Sequence, residues 1–180
     1  GTDRCWQACE RMHTDADVIV NIQGDEPFVR TSQLEGIKEC FLDDNTQIAT
    51  LVKPFSTSDT FETLSNPRTP KGVLEGNMCA LDFSRSIIPY LRGVEKDQWL
   101  LTHTFYKHIG LYAYRREVLR EISQLSPGVL EKAESLEQLR WLENGYVIKV
   151  ALTDVETVGI DTPTDLRRAE IYLERNKGQL

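Results

Sequence analysis

Apolar positions along this chain switch repeatedly between helical and strand spacing, and the switches predict alternating elements. Thr2 to about Met12 predicts a helix that the Thr2 hydroxyl could cap. The β-branched run Val18-Ile19-Val20-Asn21-Ile22 has the pattern of a strand over 17–22 buried on both faces, ended by Gln23-Gly24-Asp25-Glu26-Pro27. Ser32 and Glu35 have capping-box spacing for a helix through about Phe41, and Ile48 to Lys53 predicts a strand stopped by Pro54. Residues 54–70 read as loop with a helical turn near 59–64. Val73-Leu74 and Ala80 to Phe83 flank Glu75-Gly76-Asn77, which is hairpin chemistry, and 84–103 reads as irregular.

From Tyr106 to Tyr114, Ile109, Leu111 and Ala113 alternate with His108, Gly110, Tyr112 and Tyr114, the period of a strand. Arg116 to Leu125 predicts a helix, and Leu130, Ala133, Leu136, Leu139 and Leu142 predict one amphipathic helix closed by Asn144-Gly145. Val147 to Leu152 follows as a strand, and Thr162-Pro163-Thr164-Asp165 opens a last helix to about Arg175, with Thr162 as N-cap and Pro163 in the first turn. Such alternation predicts an α/β sandwich with a mixed sheet, one domain over 1–180, and an antiparallel hairpin insert at about 71–105.

The 180 residues are 40% hydrophobic and carry a formal charge of -7, which argues against a duplex nucleic-acid surface but leaves room for a small anion held locally. No apolar run approaches membrane-spanning length, and no charged-then-apolar leader opens the sequence, so neither nucleic acid nor membrane is expected as a partner. The four cysteines, at 5, 9, 40 and 79, form no paired framework; free thiols in a reducing, cytoplasmic setting are expected. Cys5, Cys9 and His13 would share a helix face, but a fourth metal ligand is not evident and packing is the simpler role.

Asp25 ends a strand and Asp161 lies at a strand-to-helix junction; together at one sheet edge they would offer Mg²⁺ two hard oxygen ligands. Taken singly, Asp25 reads more readily as a turn residue and Asp161 as a helix-entry residue. His108, Tyr112 and Tyr114 on one strand face suit a hydroxylated ligand, or equally a half-buried strand with a satisfied histidine. Glu134 and Gln138, at i and i+4, could bond sugar hydroxyls, while Glu131, Glu134 and Glu137 could equally form a solvated acidic stripe. Arg85 could pair bidentately with a substrate carboxylate or be an ordinary surface arginine.

Gly1-Thr2-Asp3-Arg4, Val20 to Pro27, Asn66-Pro67, Phe83 to Ser86, Lys107 to Arg115, Glu134 to Arg140 and Gly159 to Leu166 together resemble the 3-deoxy-manno-octulosonate (Kdo) cytidylyltransferase family, in family order. The resemblance implies a nucleotidyltransferase, glycosyltransferase-A-like three-layer sandwich, usually a homodimer. It also implies an enzyme that couples CTP to the sugar acid with Mg²⁺, giving CMP-Kdo and pyrophosphate for lipopolysaccharide biosynthesis. Carried over by position, Asp25 and Asp161 are the metal ligands and catalytic pair, and Gln23, Arg85, His108, Tyr112, Glu134 and Gln138 line the sugar side. Asp82 and Ile87 stand where the family often has an aromatic and a proline. The family's amino-terminal βα unit with its basic phosphate loop has no counterpart in the sequence, so an amino-terminally truncated chain with little turnover alone is expected. A cytidylyltransferase for another acidic sugar and a non-catalytic sugar-binding or assembly module are the competing functions.

Overall fold

Among the described residues the apolar runs become six strands of one mixed sheet, arranged around a single long strand. The computed structural model describes residues 1–24, 26, 28–155, 160 and 162–175. The long strand β5 (Tyr106–Arg115) pairs antiparallel along one side with β2 (Ile48–Pro54). Its other side is shared by β1 (Val18–Asn21) and β3 (Lys71–Leu74), also antiparallel. Strand β4 (Ala80–Ser84) completes the hairpin with β3, and β6 (Ile148–Leu152) runs parallel to β2.

Residues Ile48 to Val52 are fully buried because β2 has a strand on each side and helices over both faces. One face packs Ala49, Leu51, Ile109, Leu111 and Ala113 against Ile37 of α2 (Thr31–Cys40). The opposite face packs Ile48, Val52, Tyr112, Tyr114 and Val150 against Cys9 of α1 (Thr2–Met12), Leu119 and Ile122 of α5 (Arg116–Ile122) and Trp141. A third cluster of Phe55, Leu64, Trp99 and Phe105 joins α3 (Phe61–Ser65) to α4 (Trp99–Thr102), a helix within the stretch expected to be irregular. The last helix, α8, covers Pro163–Arg175 as expected.

Several expectations need correcting. Strand β1 is not buried on both faces: among the described residues it pairs only with β5, and Val20 and Ile22 are 41% and 48% exposed. A continuous β-branched run reports strand propensity, not the number of neighbours a strand acquires. Gly1, not Thr2, stands at the α1 N-cap, and Thr2 is buried. Helix α2 starts one residue earlier than its predicted cap, with the Arg30 amide donating to Gln33 Oε1 at 3.0 Å. In the hairpin loop Met78 takes the left-handed conformation, φ 63°.

The helix expected over 130–143 is two helices, α6 (Val129–Glu134) and α7 (Glu137–Glu143), broken at Ser135 with φ 52° and ψ 48°. Glu134 and Gln138 therefore do not share one helix face. The acidic stripe is not solvated either: Arg140 on α7 forks onto Glu131 of α6 at 2.7 and 2.5 Å, holding the Glu131 carboxyl below its usual range. Cys5 and Cys9 pack toward the core while His13 closes α1 in the left-handed region, so no metal triad forms from them. All four cysteines are free.

Candidate active site

The predicted polar face of β5 is real, and an irregularity in the strand shapes it. Thr50 pairs with Tyr112 and the next residue, Leu51, with Ile109, so Gly110 and Leu111 bulge out of register. Thr50 Oγ1 lies 2.9 Å from Leu111 O, 3.2 Å from Ile109 O and 3.1 Å from His108 Nε2. A hydroxyl has one proton; with it on the nearer carbonyl, Leu111 O, the assigned tautomer has His108 Nε2–H donating to Thr50. That leaves Nδ1 as an acceptor. Phe83 and Tyr112 flank the ring with centroids 5.0 and 5.3 Å away.

Burial lowers the His108 pKa from 6.5 to about 4, so the imidazole is neutral at physiological pH and binds ligand as a dipole. Between these two values the unfolded chain binds the proton and the folded chain does not. Stability is therefore full above about pH 6.5 and falls as the pH drops toward 4. From pH 7 to pH 5 this histidine should remove about 2 kcal/mol. Denaturant titration of His108→Gln should show a shallower acid loss by that amount; equal slopes in both proteins would contradict the buried neutral imidazole.

The second wall is the α6–α7 corner. Glu134 accepts from the Ser84 hydroxyl at 2.7 Å and from the Arg85 amide at 2.5 Å, tying the corner to the end of β4. The Arg85 guanidinium donates to three carbonyls: Glu134 O at 2.5 Å, Ser135 O at 3.2 Å and Pro67 O at 2.9 Å. In a continuous helix the first two would accept amides four residues on, so their diversion accounts for the break. Behind them Lys71, fully buried, donates to Asn66 O, Thr69 O and Arg85 O at 3.1, 2.8 and 2.6 Å. All three of its protons are used, which offsets the cost of burying an ammonium.

Between the two walls lies a cavity of about 200 Å³. Strand β5 contributes His108, Gly110, Tyr112 and Tyr114; the turn after β1 contributes Gln23; and the corner contributes Ser135, Glu137, Gln138 and Trp141. The Glu26 carboxylate closes in on Gly110, 3.4 Å from where a Cβ would stand, so a larger residue there would crowd it. Burial and the neighbouring Tyr114 hold the Tyr112 phenol protonated. A larger hollow of about 570 Å³, around Lys53 to Ser56 and Leu152 to Asp154, lies elsewhere, and one of about 580 Å³, around Arg4 and Val20 to Gly24, adjoins the smaller cavity through Asn21 and Gln23. The smaller cavity is the better candidate because it gathers the polar face of β5, Gln23 and the polar residues of the α6–α7 corner.

Of the predicted site residues, Gln23, His108, Tyr112 and Gln138 line this cavity together. Glu134 and Arg85 stand beside it as the fastening of its corner, with the Arg85 side chain occupied by carbonyls. Asp25 and Asp161 lie outside the described residues. Sequence reasoning missed Thr50, Lys71 and Trp141, which read as ordinary strand and core positions; only a Thr and a Lys within otherwise apolar strand ends hinted at the first two.

A family model described as cytidylyltransferase matches residues 1–154. The chain is 62% identical over 179 residues to a 3-deoxy-manno-octulosonate cytidylyltransferase of Phocaeicola vulgatus, covering 99% of this chain and 71% of that protein. The same identity holds over 174 residues with its namesake in Bacteroides thetaiotaomicron, covering 97% and 70%. A solved CMP:2-keto-3-deoxy-manno-octonic acid synthetase complexed with CTP superposes with a TM-score of 0.85 at 35% identity, covering 97% of this chain and 68% of that one. A glucose-1-phosphate thymidylyltransferase from Bacillus anthracis, at 18% identity and a TM-score of 0.57, covering 96% and 60%, shares the fold alone. The nucleotidyltransferase fold expected from the motifs is thus borne out, and no helix among the described residues is long and apolar enough to cross a membrane. With identity this high along nearly its whole length, the chain belongs to the 3-deoxy-manno-octulosonate cytidylyltransferase, or CMP-Kdo synthetase, family.

Proposed function

We propose that this cytidylyltransferase joins CTP to 3-deoxy-manno-octulosonate and that the cavity between β5 and the α6–α7 corner holds the sugar acid. The observation that carries this is that Gln23, His108, Tyr112 and Gln138 line one cavity of about 200 Å³ in a chain of this family. The sugar's anomeric hydroxyl would attack the α-phosphorus of CTP, forming an O–P bond as pyrophosphate departs with the electrons of the broken one. His108 Nδ1 accepts from a sugar hydroxyl, the Tyr112 phenol and Gln138 amide donate or accept, and Gln23 borders the open end. All are neutral groups, suited to orienting hydroxyls rather than neutralising charge.

Positioning of this kind contributes several kcal/mol, on the order of 7 in favourable cases. Asp25 and Asp161, carried over from the family motifs, would offer hard anionic oxygens, the type Mg²⁺ takes. Bound there, the cation would withdraw charge from the phosphate oxygens and lower the pKa of the attacking hydroxyl. Homodimeric assembly, which rests on the family resemblance, and a cytoplasmic setting, which rests on the unpaired cysteines, belong to the same proposal.

Pyrophosphate release by the complete protein, with CTP and a panel of acidic sugars, tests the reading. Kdo should give the highest kcat/KM. Preference for a sialic acid or an eight-carbon amino sugar would replace the substrate, and silence with every sugar would remove the activity.

A further inference from the structure

Every residue of β2 from Ile48 to Val52 is buried, and Thr50 alone among them has a polar side chain. The strand ladder shows where its hydroxyl acts. His108 pairs with Val52 and Tyr112 with Thr50, so residues four apart on β5 face residues two apart on β2. In a regular strand His108 and Tyr112 would stand about 13 Å apart; the looping out of Gly110 and Leu111 brings them to the spacing of adjacent residues on one face, about 7 Å. Their rings accordingly meet with centroids 5.3 Å apart, on the wall of the cavity. At the middle of this bulge sits Thr50 Oγ1, within hydrogen-bonding distance of Leu111 O, Ile109 O and His108 Nε2, and the Tyr112 phenol approaches it as well. Resting on the reading that the cavity takes a sugar acid, we infer that Thr50 is a positioning residue for the reaction, whose hydroxyl staples the β5 bulge and fixes the tautomer that His108 presents to the sugar.

The chemistry of a single hydroxyl supports the assignment. Thr50 has one proton to give, and with that proton on a bulge carbonyl only a lone pair faces His108, which places the imidazole proton on Nε2. A neutral imidazole with no such partner can carry its proton on either nitrogen, and one of the two forms offers a donor where the sugar needs an acceptor. One side chain thus sets both the separation of His108 from Tyr112 and the polarity of the histidine. Two substitutions separate this role from packing. Valine keeps the branched shape of threonine and removes the hydroxyl; serine keeps the hydroxyl and removes the methyl group.

The test uses the complete protein with ¹⁵N-labelled histidine, near neutral pH and before any sugar is added. The His108 ring signals, assigned by their loss in His108→Gln, should show one tautomer with its proton on Nε2. Thr50→Ser should keep that signature, and Thr50→Val should turn it into a mixture or move the proton to Nδ1. In turnover, Thr50→Val should raise KM for 3-deoxy-manno-octulosonate about tenfold, with kcat and KM for CTP within about twofold, and Thr50→Ser should recover most of the loss. A proton on Nδ1 in the wild-type protein would overturn the inference, and that reading needs no variant at position 50 to fold. An unchanged tautomer and KM in Thr50→Val, or equal losses in the valine and serine variants, would overturn it as well while leaving the proposed function standing. If the wild-type protein uses no acidic sugar at all, the proposed function fails first and the positioning role with it.

Discussion

Asparagine in place of Asp25 or of Asp161 is expected to lower CMP transfer by about a thousandfold, equivalent to about 4 kcal/mol of barrier. The substitution keeps the size and planarity of each side chain and removes only its negative charge. A hard divalent cation relies on anionic oxygens and keeps few protein ligands, so losing one of two carboxylates is severe. Sugar binding should persist in both variants, since the cavity lining is untouched, and raising Mg²⁺ should recover part of the rate. Initial rates of pyrophosphate release over a Mg²⁺ series measure this. Wild-type activity in either variant would exclude that aspartate from the metal site.

Replacement of Arg85 by alanine is the second large effect: kcat/KM for the sugar acid should fall about a hundredfold, while KM for CTP changes little. The guanidinium bonds the carbonyls of Glu134, Ser135 and Pro67 and thereby holds the corner that presents Gln138 and Trp141. Displacement of such a wall by about 1 Å can cost on the order of a hundredfold. Arg85→Lys should recover little, because a point ammonium does not reproduce a planar fork spanning two segments. Hydrogen exchange separates positioning from direct contact with substrate. A positioning role predicts that amides of residues 135–139 lose protection in the ligand-free variant; unchanged protection there, with the activity loss intact, would assign Arg85 to the substrate carboxylate.

Much of this was legible in the chain. Period-2 spacing from Tyr106 to Tyr114 gave the β5 face on which His108 and Tyr112 meet, and Thr162-Pro163 marked the start of α8. Local chemistry suffices for such features, because the residues that define them are neighbours in sequence. The α6–α7 break was not legible. Leu130, Ala133, Leu136, Leu139 and Leu142 keep helical spacing straight through Ser135, and the break is imposed by Arg85, 49 and 50 residues away. Tertiary contacts override propensity there. The same holds for Lys71, whose three acceptors come from two loop residues and from Arg85 fourteen positions on. Trp141 is core, on a helix whose position in sequence already marks it as such.

The central claim, that the cavity beside β5 receives the sugar acid, is tested most directly by a crystal structure of the complete protein with α,β-methylene CTP and 3-deoxy-manno-octulosonate. The account predicts the sugar within hydrogen-bonding distance of His108, Tyr112 and Gln138, with its carboxylate outside the cavity. A sugar bound in another hollow, such as that around Lys53 to Ser56, with only water beside His108, would contradict it.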